Sequence, residues 1–251
     1  MNKQAGLIPI ILIAVLLAAL LGLGLRGQYI FNPPYLLLAL SILFYWGVTP
    51  IVAYISAKSY LMNGSLTLLF VSLAFIVGVP FSVVAGGSSP NDSVTLGALG
   101  LLVSSALQFS GAAQASFGTV PVGSEHRKTR LVLAFACVLS ISGLIILLNL
   151  LHVFPLFFVE NLGVTLVDQA IYGLIILFFL VSSLLYQRLY LKTKSETLYW
   201  YSLALLLYGI GSFGITQQLV FGDLVVWVGR IGTYMGLLYF LAALLSIRRE
   251  K

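Results

Sequence analysis

The run LVLAFACVLSISGLIILLNLL, Leu131 to Leu151, carries no charged side chain over 21 positions. Wound as an α-helix at 1.5 Å per residue it is ~31 Å long, close to the thickness of a bilayer's hydrocarbon core. Its Leu, Ile, Val and Phe residues lie all round the helix and leave no face for water. A helix apolar on every side belongs in lipid or in the core of a large protein.

Working outward, four apolar runs precede this one, at residues 7–25, 35–57, 66–84 and 95–115. Three follow it, at residues 169–189, 198–218 and 224–247. The breaks between them hold turn formers, as in Asn32-Pro33-Pro34, Met62-Asn63-Gly64-Ser65 and Gly86 through Asp92. The first run follows Lys3 as a signal peptide would, but it is long and lacks a small-x-small cleavage site, so it reads as a retained helix. Pro50 and Pro80 fall inside the second and third runs and predict kinks. The fold class that follows is all-α: a polytopic transmembrane bundle of about eight helices, one transmembrane domain over residues 1–251.

Composition agrees. The chain is 60% hydrophobic and 8% charged, with a mean hydropathy of +1.08. Soluble domains carry roughly 25% charged residues, so there is too little charge here to cover a water-facing surface. The single Cys137 forms no intramolecular disulfide and reads as a small buried hydrophobe.

The net charge of +6 follows topology rather than nucleic-acid binding. One set of connections and termini holds Lys3, Lys58, Arg127, Lys128, Arg130, Arg188, Lys192, Lys194, Arg248, Arg249 and Lys251, and the other only Arg26 and Arg230. Asp92, Glu160, Asp168 and Asp223 all lie on the basic-poor side. Lys and Arg mark cytoplasmic loops, so a multi-pass protein of the cell membrane with both termini cytoplasmic is expected. The lipid bilayer is its first partner.

The halves 1–125 and 131–251 align at an offset of 130 residues. Ser72-Leu73-Ala74 meets Ser202-Leu203-Ala204, and Lys58 meets Arg188. A 4+4 repeat of this kind has parallel halves, related by an axis along the membrane normal. Evenly spaced helices would give the same register without duplication.

Ionisable groups within spans are costly and mark function by default. Arg230, in Trp227-Val228-Gly229-Arg230-Ile231-Gly232, is the clearest, ~10 Å into the last helix. Trp227 lies one turn earlier on the same face, placed to shield the guanidinium, and Tyr234 is a second aromatic neighbour. Gly229 and Gly232 allow a helix to approach closely. At the same outer level stand Asn149, His152, Glu160, Asp168, Gln217 and Gln218, with Tyr172 a turn below Asp168. These residues predict an outward-facing ligand pocket centred on an Arg230–Asp168 or Arg230–Glu160 pair. The alternative is a set of interfacial side chains meeting headgroups and water. In the fourth helix, Ser104, Gln108 and Gln114 read as interhelical hydrogen-bonding groups, with a transport path as the alternative.

Several chemistries lack their residues. His126 and His152 lie on opposite sides, so no bis-histidine haem is expected. The spans contain no paired acids or His clusters for a metal, and no spanning Ser has an activating base. No catalytic residue, metal or cofactor is assigned, and the chain is not expected to be an enzyme.

The stretch Leu198-Tyr199-Trp200-Tyr201-Ser202-Leu203-Ala204-Leu205, then Gly209, Gly211 and Gln217, then Val226-Trp227-Val228-Gly229-Arg230 and the aromatic-rich Tyr234 to Ala243, carries a resemblance. It resembles the last two helices of the multi-helix membrane sensor regions at the N-termini of prokaryotic PAS-containing histidine kinases. The resemblance covers residues 198–243. It implies a sensory module whose last helix feeds a cytoplasmic output domain or signalling partner. No PAS domain, phosphoacceptor histidine or nucleotide-binding motif lies within these 251 residues. The leading expectation is a non-enzymatic membrane sensor that binds a small or lipophilic ligand in its outer half. A small-solute or ion transporter is the alternative, and a subunit or assembly factor of a membrane complex the third reading.

Overall fold

A computed structural model describes residues 4–33, 35–118 and 122–246. Lys3, Arg248, Arg249 and Lys251, which enter the charge count above, lie outside the described residues. The described residues form eight helices: α1 (Ile8–Gly22), α2 (Leu36–Asn63), α3 (Leu66–Gly86), α4 (Pro90–Phe117), α5 (Ser124–Leu150), α6 (Leu166–Thr193), α7 (Glu196–Ile215) and α8 (Leu224–Ser246). Seven are long and apolar enough to cross a membrane, so the chain is a multi-pass helical membrane protein. The exception is α1. Its 15 residues span ~22 Å, less than the ~30 Å of a hydrocarbon core. A 3-10 turn, Gln4–Leu7, precedes it.

Several helices outrun their apolar stretches because good caps start them early. At α4, Ser89 accepts the Asp92 amide at 3.3 Å, and Pro90 takes the first-turn position where its missing N–H costs nothing. At α6, Thr165 caps in the same way. Pro50 does not simply kink α2. It follows a π-helical segment, Ile42–Val48, whose wider turn makes room for a ring that would otherwise clash with the carbonyl four residues back. Cys137 is exposed on α5, not buried, because α5 packs on the bundle along one edge only and buries just Ser142 and Asn149.

Six helices close a ring in the order α2, α3, α4, α6, α7, α8, and back to α2. The other two lie outside it. α1 packs on α7 and α8, and α5 on α3 and α4. Glycines bring α7 and α8 into backbone contact, since a Cβ on Gly211 would stand 2.6 Å from the Gly229 carbonyl oxygen and the reverse is also true. Ile13 and Leu17 of α1 seat against this glycine seam. Ser72 and Ser202, aligned at the 130-residue offset, are both buried and both donate to the carbonyl three residues back.

The connections alternate between two ends. At one end, Arg127 donates to the Leu61, Met62 and Val122 carbonyls, tying the α2–α3 connection to that between α4 and α5. Lys58, Lys128, Arg130, Arg188, Lys192 and Lys194 lie towards this basic end. The opposite, basic-poor end is stitched by polar groups. Asn91 Oδ1 accepts the Phe157 and Phe158 amides, and Asn149 donates to Asp92. A two-residue hairpin, β1 (Phe158–Val159) with β2 (Gly163–Val164), lies there, unforeseen in the sequence. The segment after α1 crosses the start of α8, where Phe31 donates to the Gly222 carbonyl and Leu224 to the Tyr29 carbonyl.

Candidate ligand cavity

The ring encloses a cavity of about 130 Å³. All six ring helices contribute to its wall, while α1 and α5 do not. Along α4 the lining runs from Ser93 to Gln108, ~22 Å at 1.5 Å per residue. The cavity therefore begins near the basic-poor end and reaches past the middle of the bundle.

Its floor is aromatic. The Phe240 ring is 4.7 Å from Tyr201, 4.8 Å from Phe75 and 5.6 Å from Tyr208, centre to centre. The Tyr201 hydroxyl donates to Gln108 Oε1, joining α7 to α4. Ser104 donates to the Ala74 carbonyl at 2.8 Å, joining α4 to α3. Ser104 and Gln108 thus bond between helices as expected and also face the cavity. Gln114 stands apart, its buried Oε1 without a hydrogen-bond partner.

Arg230 stands in the cavity wall with Tyr172 and Tyr234. Its guanidinium carbon lies 5.0 Å from the Trp227 ring centre and 5.8 Å from that of Phe221. Trp227 in turn donates its indole N–H to the Phe31 carbonyl, and is buried behind Arg230 rather than in the wall. Tyr234 stacks on Phe44 at 4.5 Å across the α2–α8 seam.

The expected ion pair does not form. Arg230 makes no salt bridge among the described residues. Asp168 sits in the first turn of α6, and α7 stands between α6 and α8 in the ring, which keeps the two side chains apart. Asp168 is fully buried, with neither carboxylate oxygen hydrogen-bonded. Glu160 accepts from the Phe221 amide at 3.5 Å in the connections above. Gln217 also misses the cavity. It lies beside Arg26, which donates to its backbone carbonyl at 3.0 Å, in a shallow groove between α6 and α7. His152 follows the last turn of α5, and His126 lies in the first, at opposite ends of that helix.

Two opposing effects decide how Arg230 is held. Its burial at bilayer depth costs up to ~2.5–3.5 kcal/mol. Two ring contacts of ~0.5–2 kcal/mol each offset much of that and leave the guanidinium's N–H groups unmatched by any protein anion. Gln218, expected at the outer level, does line the cavity, whereas the wall residues Tyr45, Tyr208 and Thr233 were not singled out in the sequence. Thr233 and Tyr234 follow Arg230 at helical spacing, which was a usable signal. Tyr45 had none, because the π segment shifts its phase.

No family model matches the chain, and neither a curated protein nor a solved structure shows detectable similarity to it.

Proposed function

We propose that this protein is a membrane sensor module that binds a small or lipophilic ligand in the basic-poor half of its central cavity and acts by binding, without catalysis. The observation that carries the reading is Arg230: a cation without a counter-ion among the described residues, held by aromatic rings in the wall of a six-helix cavity. Uncompensated charge within a span marks a ligand or ion site by default. The distribution of Lys and Arg supports a cell-membrane orientation with the basic end cytoplasmic. Signal passes by displacement of α8, which touches the cavity, α1, α2 and α7 and ends at the basic side. Its receiver is a cytoplasmic signalling partner or output domain. Arg230→Ala removes the ligand response while leaving membrane expression intact. An unaltered response, or spin-label distances between α8 and α2 that ignore ligand, refutes the reading.

A second reading, a small-solute transporter, has one observation in its favour. The pairings α2–α3, α3–α4 and α5 on α3 and α4 recur as α6–α7, α7–α8 and α1 on α7 and α8. Parallel halves about a central cavity suit alternating access. Uptake of radiolabelled solutes into proteoliposomes separates the two readings.

A further inference from the structure

We infer that the cavity is shaped for one amphiphilic anion, a carboxylate on an unbranched apolar chain, with the head at Arg230 and the chain running inward to Phe240. This deepens the ligand-site reading above and rests on it.

The first ground is charge. A guanidinium offers a planar fork of N–H donors that matches a carboxylate in two parallel bonds, and no acid among the described residues occupies that fork. A single cation in the wall selects a single negative charge. It rejects a cationic solute and leaves a multiply charged one under-compensated in a low-dielectric site.

The second ground is shape. Arg230 and Phe240 are ten residues apart on α8, so ~15 Å of slot lies between head and floor. A volume of about 130 Å³ drawn out along that slot is narrow. It suits a chain. Gly78 and Gly97 widen it where side chains would fill it, and a Cβ on Gly97 would meet nothing within 4 Å.

The third ground is the chemistry below Arg230. Phe75, Phe81, Leu101, Phe179 and Phe240 form the wall. Of the polar groups at that depth, Ser104 is engaged with the Ala74 carbonyl, Gln108 with Tyr201 and Thr49 with the Phe44 carbonyl. The wall at that depth is mostly apolar, and an apolar chain gains by filling the space.

The test uses the full chain in zwitterionic nanodiscs and equilibrium binding of radiolabelled decanoate, with decanol and butyrate as comparison probes. Decanoate binds saturably, and decanol or butyrate binds about tenfold more weakly or worse, as loss of a charged hydrogen bond or of buried chain requires. Arg230→Gln weakens decanoate about tenfold or more and leaves decanol unchanged. Gly97→Leu blocks decanoate but spares butyrate, and Gly143→Leu on α5, away from the cavity, alters neither. Thermal melting of each variant confirms that it is folded. Butyrate binding as tightly as decanoate, lost in Arg230→Gln but not in Gly97→Leu, overturns the chain and leaves a ligand site at Arg230 standing. Equal binding of decanol and decanoate, or no saturable binding of any probe, overturns the proposal outright. The ligand response of Arg230→Ala tests the broader reading separately.

Discussion

The Trp227 indole lies 5.0 Å from the Arg230 guanidinium and at the same time donates its N–H to the carbonyl of Phe31. One side chain thereby ties Arg230, the charged group of the cavity wall among the described residues, to the segment that crosses the basic-poor end. The position of the cation is set by that segment as much as by α8.

Trp227→Phe keeps an aromatic face and loses the hydrogen bond, whereas Trp227→Leu loses both. The expected order of thermal stability in nanodiscs is wild type, Phe, Leu. The first step is about 0.5–1.5 kcal/mol for a hydrogen bond, and the second about 0.5–2 kcal/mol for the cation–π contact. Equal losses for the two variants would show that the ring does not hold Arg230.

Asp223 is buried, and its two carboxylate oxygens accept the Gly27 amide at 2.8 Å and the Val225 amide at 3.2 Å. It caps α8 and anchors the chain leaving α1 in one stroke. Asp223→Ala should cost about 1–3 kcal/mol, a cap plus a charged hydrogen bond, with Asp223→Asn recovering part of it. Differential scanning fluorimetry reads the shift.

The glycine seam gives a sharp contrast. A Cβ at Gly211 would meet the Gly229 carbonyl oxygen at 2.6 Å, while one at Gly143 meets nothing within 4 Å. Gly211→Ala is expected to force α7 and α8 apart and cost about 1–3 kcal/mol or more. Gly143→Ala should be neutral or mildly stabilising by up to ~1 kcal/mol. Similar melting temperatures for the two would deny the backbone contact.

The Gln108–Tyr201 bond closes the floor between α4 and α7. A double-mutant cycle with Gln108→Leu and Tyr201→Phe should return a coupling of about 0.6 kcal/mol, the average for such bonds between membrane helices. A coupling near zero would leave the floor held by ring packing alone.

Cys137 is the thirteenth residue after Ser124 on α5 and is exposed on its surface, ~20 Å from either helix end. That depth is mid-bilayer. A membrane-impermeant maleimide should leave it unlabelled in nanodiscs and label it after denaturation, because the reagent does not enter the hydrocarbon core. Rapid labelling in the intact bilayer would remove α5 from the set of spans.

The spans were legible because apolar runs of twenty residues admit few other readings, and α3, α6 and α8 begin within a few residues of their expected starts. Pro90 and Ser124 were harder. Their first turns are polar; at Pro90 the Ser89 cap, not hydropathy, extends the helix, while the helix at Ser124 starts without a side-chain cap. Arg230 and Tyr172 in the cavity wall were visible as polar groups in apolar helices. Asp168 was visible for the same reason and wrongly paired with Arg230, since sequence depth says nothing of which helices are neighbours. The ring order is a three-dimensional fact. Tyr45 and Tyr208 were missed because a tyrosine among aliphatic residues looks the same whether it faces lipid, a neighbour or a cavity.

The π segment of α2 has a geometric consequence. The residues that α2 turns to the cavity are Leu37, Ser41, Tyr45 and Thr49, each four places after the last. In regular α-helix a step of four overshoots the turn by ~40°, so three such steps would carry the row ~120° around the axis. The wider turns between Ile42 and Val48 undershoot and take that drift back. The row therefore runs like a straight rail instead of a spiral stair, and deleting one residue within the segment would wind it out of the cavity from Tyr45 onward.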